Sequence, residues 1–114
     1  MEAKGNSKIT IIQGDSYTKY VYFENIPAEA IGEVWFSSLE LGVKKRLQYD
    51  EISNRYVLTL SSTETAGLSP TRSTYDLTIF FVDATNEDNH RTAIYNAGIE
   101  ILPKLNFVKQ KDGD

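Results

Sequence analysis

Residues able to do chemistry are few in this chain. Gly14-Asp15-Ser16 puts a carboxylate and a hydroxyl on one turn. A serine nucleophile needs a base within hydrogen-bond reach, and the only histidine is His90. No Gly-x-Ser-x-Gly elbow occurs and no helix follows the serine. The turn therefore reads as a bend, with Gly14 supplying an unusual backbone angle and Asp15 or Ser16 bonding the turn amides. The densest run of candidate ligands is Asp83-Ala84-Thr85-Asn86-Glu87-Asp88-Asn89-His90. Calcium takes oxygen ligands, but the helix-loop calcium pattern needs glycine at its sixth position, where Asp88 stands. Such a run is also what an exposed hairpin loop contains. His90 alone builds no zinc site. Glu33, Glu40, Asp50 and Glu51 are the acids available for paired-carboxylate hydrolysis, and spacing does not bring any two of them together. With no cysteine, thiol nucleophiles, disulfides and thiolate metal sites are excluded. No glycine-rich phosphate loop is present. No catalytic, cofactor or metal residue is assigned, and the expectation is a protein that is not an enzyme.

Aromatic residues offer more. Seven tyrosines, five phenylalanines and one tryptophan stand among 114 residues, more than one small core needs on a single face. If Val21 and Phe23 face inward, Tyr20 and Tyr22 face outward. Trp35 has two placements. It is the central bulky core residue of the third strand, or it lies opposite Val34 and Phe36 on the surface. Outward, Tyr20, Tyr22 and Trp35 make a candidate interface, since tyrosine and tryptophan are enriched at protein contacts; the same rings could stack on sugars.

Elements that would position these residues are short strands between turn formers. Apolar and β-branched runs cover residues 8–13, 17–24, 33–39, 43–49, 55–60, 73–83 and 90–102, the last with a bend expected at Gly98. Alternation puts Tyr56, Leu58 and Leu60 on one face, and Tyr75, Leu77, Ile79 and Phe81 on another. Residues 62–68 suit one helical turn, with a Ser/Thr–Glu start and Gly67 at its end. Such a pattern predicts an all-β, immunoglobulin-like β-sandwich of about seven antiparallel strands with one short helical turn. The domain spans 8–104, after a loose end at 1–7 and before a flexible tail at 105–114. Only Leu105, Phe107 and Val108 are apolar in that tail.

A net charge of −4 argues against general nucleic-acid binding, and Lys44-Lys45-Arg46 reads as a solvated stretch. No run of about 18 apolar residues is present to cross a membrane, and the N-terminal residues do not read as a secretory signal.

Five stretches together resemble a known family. These are the Ile-x-x-Gly-Asp-Ser turn at 11–16, the Val-x-Phe strand at 34–36 and the Leu-Ser…Thr-x-x-Leu-Ser-Pro segment at 60–70. Tyr75-Asp76-Leu77 and the closing stretch ending Gly98…Pro103 complete the set. Their order is similar to immunoglobulin-like structural domains of tailed phages and prophages, such as the N-terminal domain of baseplate upper proteins. Lys19 stands where that pattern prefers an apolar residue. The resemblance implies a non-enzymatic virion module, made in the bacterial cytoplasm, that docks to copies of itself or to neighbouring tail proteins. A carbohydrate-binding or adhesive sandwich using Trp35 with Tyr20 and Tyr22 is the alternative.

Overall fold

The computed structural model describes residues 7–24, 26–82 and 90–105. The ends expected to be loose therefore lie outside the described residues apart from Ser7 and Leu105, as does the candidate cation loop apart from His90. Among the described residues eight strands form two sheets: β1 (Ile9–Ile12), β2 (Tyr17–Val21), β3 (Ile31–Ser38), β4 (Val43–Arg46), β5 (Gln48–Asp50), β6 (Arg55–Leu60), β7 (Thr71–Phe81) and β8 (His90–Leu102). One sheet has the order β1-β8-β7-β3-β4 and the other β2-β6-β5. The chain is an all-β, immunoglobulin-like sandwich.

Alternation builds the core. Val34 and Phe36 of β3, Leu58 and Leu60 of β6, and Tyr75, Leu77 and Ile79 of β7 are all buried between the sheets. Phe36 and Tyr75 meet ring to ring at 5.2 Å, a contact worth about 1 kcal/mol beyond the area it buries. The Tyr75 hydroxyl donates to the Ser7 carbonyl, so its polar tip is satisfied inside the core. Burial, with Tyr17 nearby, pushes the Tyr75 phenol up to about 12.

Several details differ from the sequence expectation. The run at 43–49 is not one strand. It pairs with β3 up to Arg46, breaks at Leu47, and joins the other sheet from Gln48. Leu47 is buried at this corner and its N–H donates to the Val34 carbonyl at 2.8 Å. A strand that switches sheets is a standard way for a sandwich to turn a corner. The first strand pairs parallel with β8, Ile9 opposite Ile99, not antiparallel. The irregularities of β8 fall near Ala93 and at Asn96, not at Gly98, which keeps its place opposite Thr74. Asn96 takes a positive φ of 56°, the conformation a bulge there requires. Trp35 is not the core residue; Val34 and Phe36 on either side of it are.

The segment at 62–68 is the expected helical turn. Helix α1 (Ser62–Ala66) carries a complete capping box, with Ser61 accepting from the Glu64 N–H and Glu64 accepting from the Ser61 N–H. Thr65, fully buried, ties this helix to the first turn: its hydroxyl donates to the Asp15 carbonyl at 2.7 Å and accepts from the Gly14 N–H at 3.0 Å. Gln13 adds a bond from its side chain to the Leu68 carbonyl.

Candidate interaction surfaces

The three aromatic residues singled out in the sequence do not form one platform. Register places Tyr20 beside Val57 on β6, on the face opposite Leu58 and Leu60; Tyr20 and Tyr22 are exposed on the outside of the three-stranded sheet. Trp35 lies opposite Thr78 and Arg46 on the outside of the five-stranded sheet. The core lies between them, so a single stacking surface built from all three is corrected to two surfaces on opposite sides.

Each surface carries its own cation. The Arg55 guanidinium lies 4.2 Å over the Tyr20 ring, and the Lys44 ammonium 5.4 Å over Trp35, both within cation–π range. The Trp35 indole N–H donates to Glu33 at 2.8 Å, and Glu33 pairs with Arg46 at 3.7 Å. Trp35 is therefore engaged at its ring face and at its polar edge, which leaves it little freedom to stack on a sugar. Tyr22 is the more open ring, at 62% exposure. Arg55 was not singled out in the sequence. Its only signal there was its outward parity on β6, and the pairing of β6 with β2 that makes the parity matter is long-range.

Acidic residues weighed for hydrolysis are mostly engaged in structure. Glu40 accepts from the Ser73 hydroxyl. Asp50 accepts from Ser53 and from the Ile52 N–H, and these bonds, the Ser53 hydroxyl foremost, hold its carboxyl below the usual range. Asp15, of the candidate nucleophile turn, binds Lys104. Among the described residues no group of three or more ligating side chains could hold a metal ion. His90 stacks on Phe80 at 5.3 Å.

Only Glu33 and Glu51 share a surface. After Arg46 the β4–β5 strand leaves β3 to join the other sheet, and a groove of about 610 Å³ opens between the two. Its floor is apolar, with Ile31, Leu47 and Tyr56 nearly buried and Tyr49 stacked 5.0 Å from Tyr56. Glu29, Glu33 and Glu51 rim it, with Arg46 as the one cation. Gly32 lies on its wall at a bulge. A Cβ there would sit 2.9 Å from the Phe80 carbonyl, so only glycine fits this close backbone approach.

Sheet edges are guarded elsewhere. Lys19 on the outer strand β2 is opposite Leu58, and Lys45 on the outer strand β4 is opposite Phe36, so both lysines stem from the inward face. Inward-pointing charges on edge strands discourage edge-to-edge pairing. Lys45 reaches Glu64 of α1, and this bond foremost holds the Glu64 carboxyl below its ordinary range.

No helix among the described residues is long and apolar enough to cross a membrane. No protein-family model matches the chain, and no curated protein sequence matches it.

Proposed function

We propose that the chain is a non-enzymatic structural module of a phage or prophage particle, of tail or baseplate type, that works through protein–protein contacts. One observation carries the interaction reading: Tyr20 on the outer face of β2 and Tyr22, just past the end of that strand, stand exposed, with Arg55 stacked on Tyr20. Tyrosine and arginine are the residues in which binding energy at interfaces concentrates. The immunoglobulin-like sandwich, and the motif order at 11–16, 34–36, 60–70, 75–77 and 98–103, support the virion part of the reading. The cations already seated on Trp35 and Tyr20 favour it over sugar stacking.

Light scattering of the purified chain over a wide concentration range tests this, alone and with a Tyr20→Ser/Tyr22→Ser variant. A discrete oligomer is expected, weakened about thirtyfold or more in the variant. A strict monomer whose tryptophan fluorescence saturates on titration with a glycan would overturn the reading in favour of the adhesive alternative.

A further inference from the structure

Beyond the Tyr20–Tyr22 face, we propose that the groove between β3 and β5 receives the C-terminal segment, residues 106–111, of a second copy of this chain, so that copies join head to tail. The groove can hold an extended segment because the outer edge of β5 borders it, with Gly32 of β3 lining it; the Ile31 N–H already donates to the Ala28 carbonyl. On the side away from β7, the β3–β4 ladder begins only at Trp35 and Arg46; before that, the Leu47 N–H to Val34 carbonyl bond ties the strands. Gln48 to Asp50 pair with β6 on one side, and β5 is the last strand of its sheet. Strand edges without ladder partners are templates for an added strand, in which the main chain gives affinity and side-chain pockets give specificity.

Charge and apolarity select the occupant. The groove has a floor of Ile31, Leu47, Tyr49 and Tyr56, and a rim of three glutamates against the single Arg46. The fitting ligand is an extended segment with an aromatic residue followed by cations. Asn106-Phe107-Val108-Lys109-Gln110-Lys111 is such a segment: Phe107 and Val108 suit the floor, and Lys109 and Lys111 suit Glu29 and Glu51.

Chain length decides between its own groove and a neighbour's. Residue 104 is held at the end of the sandwich that carries the first turn and α1, through Lys104 to Asp15. The groove is at the other end, where Ile31 pairs with Phe81. The two ends are separated by nearly the full length of β7, eleven residues or roughly 35 Å. Phe107 lies two residues beyond Leu105, a reach of about 7 Å. That reach is too short for its own groove, while Leu105, the last described residue, follows Lys104 at the end that would face the groove of a copy stacked in the same orientation. Contacts of this heterologous kind close into rings or run on as filaments.

A charge swap on the full chain tests the proposal. Lys109→Glu/Lys111→Glu reverses the segment, and Glu29→Lys/Glu51→Lys reverses the rim, where neither glutamate holds the fold together. Light scattering should show self-association of the wild type, a loss of about tenfold or more in each variant alone, and recovery when the two variants are mixed, because each then meets its opposite charge. Hydrogen exchange gives a second readout. Amides on the groove-facing edge of β5 (Gln48–Asp50) should gain protection as the wild-type concentration rises, and should not in either variant alone. A wild type that stays monomeric at every concentration overturns the proposal, as does a mixture that fails to recover. Association that survives both charge reversals and is lost in the Tyr20→Ser/Tyr22→Ser variant overturns it too, while leaving the interaction module itself standing.

Discussion

The two ends of the sandwich are built differently. At one end, the first turn, α1 and the chain leaving β8 are locked by polar bonds: Thr65 to Gly14 and Asp15, Gln13 to Leu68, Glu64 to Ser61 and Lys45, and Lys104 to Asp15. At the other, β5 leaves β3, the sheets part, and a groove with an aromatic floor and an acidic rim remains. The same pleated strands and the same apolar core run through both. What differs is where backbone groups find partners. The locked end adds side-chain bonds to the backbone ones, while the open end leaves the outer edge of β5 beside the groove. On the proposed reading, holding the fold together and meeting a partner fall to opposite poles of one short domain.

Substitutions that should cost stability test this contrast, from the largest effect to the smallest. Phe36→Ala removes the buried ring that packs on Tyr75 and should cost about 3–5 kcal/mol in denaturant unfolding, setting the scale for the rest. Thr65→Val keeps the shape of the locked end but leaves the Gly14 N–H without its acceptor, and should cost about 1–3 kcal/mol. Tyr75→Phe loses the bond to Ser7 and should cost about 1 kcal/mol at neutral pH. Tyr75 also gives a pH signature. Its folded phenol titrates above the ordinary tyrosine value, so its contribution is complete below about pH 10 and is lost as pH rises toward about 12. Tyr17 and Tyr56, also raised by burial, act in the same direction, so Tyr75→Phe should flatten the alkaline fall without abolishing it. Glu51→Gln at the open rim should change stability by no more than about 0.5 kcal/mol. If it costs as much as Thr65→Val, the rim is part of the scaffold and the contrast between the ends fails.

Much of the fold was legible in the sequence because it follows period two. The alternation of β6 and β7 placed Tyr56, Leu58, Leu60, Tyr75, Leu77 and Ile79 on the inner face, and the Ser–Glu spacing marked α1. Trp35 was not legible. Val34, Trp35 and Phe36 are consecutive bulky residues, so either parity satisfies the pattern, and only the packing of Phe36 on Tyr75 decides it. The break at Leu47 was hidden for a similar reason: Val43, Lys45 and Leu47 keep one parity, while the change of sheet happens in the backbone between them. The groove was invisible because it is made by that change of sheet, not by any local run of residues. Arg55 on Tyr20 and the parallel β1–β8 ladder depend on pairing across long stretches of chain, which local pattern does not encode.

The parallel β1–β8 pairing also bears on how the chain is made. Ile9 to Ile12 leave the ribosome about ninety residues ahead of their partners, Ile99 to Leu102, and the Lys104–Asp15 bond spans 89 positions. Until then β1 has no edge to pair with and Ile9 and Ile11 have no core to enter. Contacts this distant along the chain slow folding, because loop closure precedes any gain from them. A nascent chain halted before residue 102 would lack one border of its larger sheet, so synthesis through β8 is itself the step that seals the domain.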